Sequence, residues 1–178
     1  MSMGKVWRIF AVVLYVFFLI IIQTTILSYT KILGVMPNLL LSATICFCLI
    51  CDDYRGIVFA VACGSLLDIT GGRLVGINTL LFLYTALGIL LICDKLYNNN
   101  EIVAAIITLV ITALYASVVY ITNFLIWGEN AVWFALLRKI IPEMIYNTVA
   151  SIFLYPITRR VVSGSRKKRR KKKELYLK

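Results

Sequence analysis

A single acidic residue, Asp68, stands at the end of an apolar run and is followed by a glycine-rich turn. The stretch from Gly64 to Asn78 reads Gly-Ser-Leu-Leu-Asp-Ile-Thr-Gly-Gly-Arg-Leu-Val-Gly-Ile-Asn. A charged side chain in hydrocarbon costs about 2.5–3.5 kcal/mol on insertion scales, so such a residue normally faces a partner, a bundle interior or a water-filled cavity. The sequence therefore predicts a site around Asp68.

The predicted polar site binds a partner or has a structural role. Small residues spaced four apart let helices approach closely. We expect the Asp68 carboxylate either to accept hydrogen bonds from the amides of the glycine turn or to pair with a basic residue, the candidates being Arg73, Arg138 and Lys139. The alternative is that Asp68 only caps its own turn. The residues of the predicted site are Gly64, Asp68, Gly71, Gly72, Arg73, Gly76 and Asn78.

Catalytic, metal and cofactor chemistry is not expected. The chain has no histidine and no second carboxylate paired with Asp68, whereas acid–base catalysis needs positioned groups of matched pKa. Cys46, Cys48 and Cys51 have a metal-like spacing. Residues 46 and 48 point to different faces of a helix, however, and buried cysteine behaves as a small hydrophobe. We therefore predict no enzyme activity, metal or cofactor.

The composition is that of an integral membrane protein. Hydrophobic residues make up 61% of the 178 residues and charged residues 15%, against about 45–50% and 25% in soluble domains. Residues 102–127 carry no charge and exceed the roughly 20 residues that a spanning helix needs. Residues 9–22 form another apolar run behind two basic residues but lack a small-residue cleavage pattern, so we interpret them as a retained first helix.

Apolar runs separated by turn signals predict an all-α, six-helix transmembrane bundle. The third run is the weak one: the fourteen residues from Gly56 to Ile69 reach only about 21 Å of a roughly 30 Å hydrocarbon core. We expect it to be short, broken or re-entrant, and helices three and four to lie inside the bundle. The predicted helices cover residues 7–28, 36–51, 55–70, 76–93, 102–127 and 133–158.

Basic residues near helix ends stay cytoplasmic, which predicts that both termini are cytoplasmic. With six spans, fifteen of the nineteen basic residues share the side of the termini. We predict a multi-pass protein of the bacterial cytoplasmic membrane, with residues 1–160 as the transmembrane domain and residues 161–178 as a basic, disordered tail.

The tail holds the densest cluster of charged residues in the sequence. Beside a membrane helix, a basic run is attracted to anionic lipid headgroups by about 1 kcal/mol per residue near the surface. Lipid contact or topological locking is the favoured interpretation, a protein partner is the alternative, and nucleic acid is not expected because nothing aromatic interleaves the charges. The predicted headgroup contacts are Arg166, Lys167, Lys168, Arg169, Arg170, Lys171, Lys172 and Lys173.

A secondary set of residues lies at the starts of two helices. Pro37 and Asn38 open the second helix, and Pro142 starts or kinks the last one. Glu143 and Asn147 are one turn apart and either join the polar site or form an ordinary interfacial turn.

Several short motifs along the chain resemble those of the bacterial rod shape-determining protein MreD family. The resemblance covers nearly the whole chain, including its length and number of spans. The motifs are Pro37–Leu41, Gly64-x-x-x-Asp68-x-x-Gly71, Gly76-x-Asn78-x-Leu80, Pro142–Asn147 and Tyr155-Pro156. Asn38 stands where an aspartate is frequent in the family, and the basic tail is unusually long.

The resemblance implies a non-enzymatic component of the elongasome, which directs lateral peptidoglycan synthesis. It implies binding to the bitopic protein MreC and, through MreC, to MreB filaments, the glycosyltransferase RodA and a class B penicillin-binding protein. A homo-oligomer is also compatible with it. The implied fold is similar to that of the S components of energy-coupling-factor transporters. The alternative function is therefore a small-molecule-binding S component of a vitamin transporter.

Overall fold

The computed structural model describes residues 3–26, 35–51, 54–71, 76–93, 101–127 and 139–162, and these residues form six α-helices. The described residues contain no strand, and a π-helical turn, Ile22–Ile26, continues the first helix. The helices are α1 (Met3–Ile21), α2 (Leu39–Ile50), α3 (Tyr54–Gly71), α4 (Ile77–Cys93), α5 (Glu101–Trp127) and α6 (Ile141–Val162).

The third helix was predicted at residues 55–70 and is found within one residue of each bound, and the expectation that it is broken or re-entrant is wrong. Helix α3 runs without interruption for 18 residues, about 27 Å at 1.5 Å per residue. Its apolar run is extended at both ends by residues that are compatible with a helix but not hydrophobic. By length and composition, α3 and the Glu101–Thr122 part of α5 could each cross a membrane.

Local sequence explains where the helices begin. The Asn38 side chain accepts a hydrogen bond from the backbone N–H of Leu41 (3.0 Å) and caps α2, as expected of an N-cap asparagine. Pro142 is the second residue of α6, where its missing N–H costs nothing and its fixed φ suits the first turn. The sequence predicted that Pro142 starts or kinks the last helix, and it lies where the π-helical residues Lys139 and Ile140 pass into α6. Pro156 lies inside α6, which continues to Val162.

Helix α2 is the centre of the bundle. Ten of its twelve residues are buried, which is the pattern of a helix that is apolar on every side. It packs against each of the other five helices. The expectation that α3 and α4 occupy the interior is therefore wrong, because α2 fills that position and both α3 and α4 keep exposed faces.

Around α2, consecutive helices pair into two hairpins, α3–α4 and α5–α6, and α1 packs against α2 and α6. Helices α4 and α5 are consecutive in the chain but make few contacts, so the two hairpins hardly pack against each other through this pair of helices. A groove between α4 and α5 results.

The described surface is far more apolar than that of a soluble protein, and the largely hydrophobic interior also holds polar side chains. Large hydrophobic side chains are exposed along every helix except α2, for example Phe17, Leu91 and Phe153. Polar side chains are buried, including Asp68 and Asn147. Extensive exposed apolar surface is what a bilayer covers, and buried polar side chains that bond across helices are typical of membrane bundles.

Candidate functional site

The Asp68 carboxylate lies in the last turn of α3 and is buried, with 4% of its surface exposed. Its Oδ1 atom accepts hydrogen bonds from the backbone N–H (3.2 Å) and side-chain Nδ2 (2.9 Å) of Asn78. Its Oδ2 atom accepts from the backbone N–H (3.0 Å) and Oγ1 (2.6 Å) of Thr79. An ionised carboxylate has about four acceptor sites, so these four donors fill it.

Asp68, which lies in α3, therefore caps the N-terminus of the next helix, α4. Asn78 and Thr79 lie in the first turn of α4, where backbone N–H groups lack partners within the helix. The positive end of the helix dipole also favours a carboxylate at this place. This arrangement joins α3 to α4. Of the donors predicted from the sequence, Gly72, Arg73 and Arg138 lie outside the described residues.

Gly64 is what allows the two helices to come this close. A Cβ atom at position 64 would lie 2.6 Å from the Thr79 Cα and 3.0 Å from the Asn78 carbonyl oxygen. Both neighbours are backbone atoms of α4, which cannot move aside independently. The absence of a side chain at Gly64, one turn before Asp68, thus sets the distance across which the carboxylate caps α4.

Gly76 shapes the entry to α4. Its φ is +98°, a left-handed conformation that glycine adopts without the steric cost that a Cβ brings. Its carbonyl oxygen accepts a hydrogen bond from the Leu80 N–H (3.0 Å) and starts the hydrogen bonding of the helix. By contrast, nothing lies within 4 Å of a Cβ built at Gly71.

Asn78 extends the polar contacts from Asp68 into the centre of the bundle. Its Oδ1 atom accepts a hydrogen bond from the Tyr115 hydroxyl of α5 (2.6 Å). The Tyr115 oxygen in turn accepts from Nδ2 of Asn38 (3.4 Å). Tyr115 therefore connects the α3–α4 hairpin to the start of α2.

Asn147 of α6 continues the chain of contacts. Its Oδ1 atom accepts from the Asn38 backbone N–H (2.6 Å), and its Nδ2 atom donates to Thr112 Oγ1 of α5 (3.5 Å). The Ser42 hydroxyl of α2 lies 3.2 Å from the Asn147 carbonyl oxygen. We call the connected side chains the polar clasp: Asn38, Asp68, Asn78, Thr79, Thr112, Tyr115 and Asn147.

The clasp has members on five helices, and α1 reaches it through its π-helical turn. Gln23 Oε1 accepts a hydrogen bond from the Leu39 N–H (2.9 Å), next to Asn38. Helices α1 and α3 therefore end, and α2, α4 and α6 begin, at this end of the bundle, which we call the clasp end. The first residue of α1 and the last residue of α6 lie at the opposite end.

The structure brings together only part of the predicted site. Asp68, Asn78, Asn38 and Asn147 belong to the polar clasp, and Gly64 and Gly76 shape it. Pro37 and Glu143 are half-buried at the same end, but the described hydrogen bonds of the clasp do not include Glu143. Gly71 is exposed. The predicted residues Gly72 and Arg73 and the basic segment 166–173 lie outside the described residues.

Three clasp residues, Thr79, Thr112 and Tyr115, were missed by sequence reasoning. Each is an uncharged polar residue inside an apolar helix, and its partners can be far away in the chain, as Asn78 is from Tyr115. The one-turn spacing of Thr108 and Thr112 was a weak sequence indication of a polar strip on α5. Both side chains are fully buried in the structure.

The arrangement holds helices in fixed positions and leaves its polar groups satisfied. Every buried side-chain nitrogen or oxygen of the described residues has a hydrogen-bond partner. No group of three or more metal-ligating side chains occurs among these residues. The clasp geometry is thus suited to fixing helix ends, since none of its buried groups is left for a ligand to satisfy.

Comparison with known families decides what kind of protein this is. The sequence model of the rod shape-determining protein MreD matches residues 3–162, nearly the whole chain. The chain belongs to the MreD family. The resemblance inferred from the motifs is confirmed, and the polar clasp lies entirely within the matched range. MreD proteins are membrane proteins of the shape-determining machinery. No curated protein and no solved structure gives a significant match.

Proposed function

We propose that this MreD-family protein is a non-enzymatic scaffold of the cell-elongation complex, which supports lateral peptidoglycan synthesis by binding an MreC-like partner. The main support for the proposal is that the buried polar groups of the clasp form their hydrogen bonds with one another. Four donors from its own chain fill the Asp68 carboxylate, so the buried polar groups serve to position helices. Fixed helix ends are what a docking surface needs.

In this proposal six helices span the bacterial cytoplasmic membrane and both termini are cytoplasmic. The distribution of basic residues supports this orientation, and so does the common end at which α1 begins and α6 ends. The clasp end then faces outward. Arg159 and Arg160, in the last turn of α6, and the basic tail lie on the cytoplasmic side, where we expect anionic lipids and no nucleic acid to bind the tail.

The partner surface we propose is the apolar surface next to the clasp. Ile69 follows Asp68 and is 78% exposed, and Leu80 follows Thr79 and is 53% exposed. Capping of α4 by Asp68 fixes these two side chains relative to each other. A transmembrane helix or juxtamembrane segment of an MreC-like protein would cover both, and links to MreB-like filaments, a RodA-like glycosyltransferase and a class B penicillin-binding protein would be indirect.

The contacts of the clasp favour this scaffold over the small-molecule-binding alternative. A ligand pocket needs convergent polar groups that are available to the ligand. The polar side chains at the clasp end instead satisfy one another. The substrate-binding role in a vitamin transporter therefore has less support and becomes an outcome of the test.

Co-purification from the native membrane tests the proposal. We expect the tagged protein, extracted in mild detergent, to retain an MreC-like protein together with RodA-like and penicillin-binding proteins identified by mass spectrometry. Recovery of paired ATPases and a coupling transmembrane subunit would instead indicate a transporter S component and refute the scaffold.

A pair of Asp68 variants separates binding from folding. Asp68→Ala should weaken retention of the partner more than Asp68→Asn, which keeps one acceptor oxygen for the first turn of α4. Thermal stability in detergent serves as the control. Equal retention by wild type and both variants would contradict a role of Asp68 in presenting the partner surface.

A further inference from the structure

Glu143 lies at the clasp end but is not part of the polar clasp. Its side chain is half-buried, and it acts electrostatically on the nearby Tyr115 side chain, as Asp68 does. The two carboxylates differ in their partners. Four hydrogen bonds fill Asp68, whereas none of the described hydrogen bonds reaches Glu143. Glu143 is therefore a half-buried acidic side chain that the described part of the chain leaves without a donor.

The geometry of the clasp end explains this difference. Asn147 accepts a hydrogen bond from the N-cap residue of α2, and Glu143 precedes Asn147 by four residues, which places it about 6 Å farther out along α6. Helix α4 likewise begins at the level of the clasp, where Asn78 bonds to Tyr115. The first turns of α2 and α4 therefore lie inward of Glu143, and their N–H groups are bonded to other residues of the clasp.

Neighbouring polar groups of α5 and α6 have other partners. The Tyr115 hydroxyl donates to Asn78 (2.6 Å), and the Ser117 hydroxyl donates to a backbone carbonyl oxygen of its own helix (2.7 Å). Lys139 precedes Glu143 by one turn, but its side chain is exposed. No opposite charge of a described residue compensates the burial of the Glu143 carboxylate. The described residues therefore do not supply the cation that this carboxylate needs.

A positively charged side chain is the group that fits this position. The dipole of α6 favours a carboxylate in its first turn, but this effect is small compared with the hydration that a charge loses on burial. A metal ion would need several oxygen ligands, whereas Asp68 is filled and no group of three metal-ligating side chains occurs among the described residues. A lysine or arginine needs only one carboxylate, and its long apolar stem packs against apolar surface beside the charged group.

We propose that Glu143 binds a lysine or arginine side chain of the MreC-like partner, at the outer end of the partner's transmembrane helix or in the juxtamembrane segment next to it. This inference rests on the proposed function and adds the chemistry of one contact to it. Ile69 and Leu80 form the apolar part of the interface, and Glu143, beside Tyr115, forms its charged part. Since complementary charges act against wrong partners and fix the register of an interface, Glu143 is a specificity-determining residue.

Charge variants of the full-length protein test the contact by co-purification with the MreC-like protein in mild detergent. Glu143→Lys should abolish retention of the partner. Glu143→Gln keeps the shape of the side chain and removes its charge, and it should lower retention about tenfold or more, because removing one partner of a desolvated charge pair is costly. Glu101→Lys is the matched control and should retain the partner as wild type does. Glu101 also lies in the first turn of its helix, α5, but is exposed at the opposite end.

Charge reversal in the partner separates a direct contact from a folding defect. Each lysine and arginine within two turns of the outer end of the partner's transmembrane helix is changed to glutamate, and one of these changes should restore binding to Glu143→Lys. Thermal unfolding checks that the Glu143 variants remain folded. Equal retention by wild type and Glu143→Gln, or the failure of every partner change to restore binding, overturns the inference and leaves the proposed function standing. Absence of the MreC-like protein from the wild-type preparation refutes the proposed function, and this inference with it.

Discussion

The two ends of the bundle are held together in different ways. At the clasp end, hydrogen bonds between side chains run from Asp68 through Asn78 and Tyr115 to Asn38, whose backbone N–H donates to Asn147, and together they connect five helices. At the opposite end, Tyr15 and Thr158 form a single described side-chain bond of 2.9 Å between α1 and α6. Packing prevails there, as in the stacked rings of Phe47 and Phe59, whose centroids are 4.1 Å apart.

The difference between the two ends indicates how a largely apolar bundle can hold one of its surfaces in a single conformation. Packing tolerates repacking among hydrophobic side chains of similar volume, whereas hydrogen bonds are directional and an unmet buried donor is costly. The clasp end should therefore have a single geometry and the opposite end a more adaptable one. Variants at the two ends should therefore differ in their effect on stability.

The largest effect is expected for Asp68→Ala. It removes four hydrogen bonds and leaves the donors of Asn78 and Thr79 unpaired, so we expect the free energy of unfolding to fall by about 3 kcal/mol. Asp68→Asn should cost less, because one oxygen can still accept. Unfolding in mixed micelles measures both. Thr70→Ala, an exposed change two residues away, is the control and should have little effect.

Gly64→Ala should have the second largest effect, about 2 kcal/mol, because the new Cβ would meet the backbone of α4 and force the helices apart. Gly71→Ala on the same helix meets nothing and should be neutral or slightly stabilising. Both are measured by unfolding in mixed micelles. Equal stability of the two alanine variants would mean that α3 and α4 do not depend on the close approach at Gly64.

Tyr115→Phe removes the hydroxyl that joins the two halves of the clasp. We expect a loss of about 1 kcal/mol, as for a typical buried hydrogen bond, and faster amide exchange at the start of α4. Combined with Asp68→Asn, the change should be non-additive, since both residues contact Asn78. Strict additivity of the two changes would indicate that the clasp is not one network.

The smallest effect is expected for Tyr15→Phe at the opposite end. The Thr158 hydroxyl already donates to the Leu154 carbonyl oxygen (2.8 Å), so Tyr15 must be the donor in their mutual bond. Its removal leaves only an acceptor without a partner, and the loss should be below about 0.6 kcal/mol, the average for such bonds in a membrane bundle. A loss as large as that of Tyr115→Phe in the same unfolding assay would remove the contrast between the two ends.

The sequence predicted most of the helices because apolar runs and polar turns alternate clearly. Helix α4 agrees with residues 76–93, and α5 with residues 102–127, within one residue at each end. Helix α3 agrees with residues 55–70 equally well, but its continuity could not be predicted from hydropathy, which counts apolar residues, whereas Thr70 continues a helix without adding to its hydrophobicity. The central position of α2 could not be read from its pattern, because apolar runs look alike whether they face lipid or protein.

The sequence indicated several residues of the site but not the hydrogen bonds between them. Asp68, Asn38 and Asn147 stand out as polar residues in apolar surroundings. Their partners depend on tertiary packing, which places Tyr115 next to Asn78 although 37 residues separate them. The prediction of a basic partner for Asp68 came from charge pairing alone, and Arg73 and Arg138 lie outside the described residues. The donors at the start of α4 could have been expected from the N–H groups that lack partners in the first turn of a helix.

Two matched variants show whether the polar clasp presents the surface that binds the MreC-like partner. Tyr115→Phe and Tyr15→Phe each remove one hydroxyl, from the clasp end and from the opposite end, and both should remain folded in mild detergent. If the clasp presents the partner surface, Tyr115→Phe loses the partner in co-purification while Tyr15→Phe retains it as wild type does. Equal retention by the two variants, or a loss confined to Tyr15→Phe, would contradict the account.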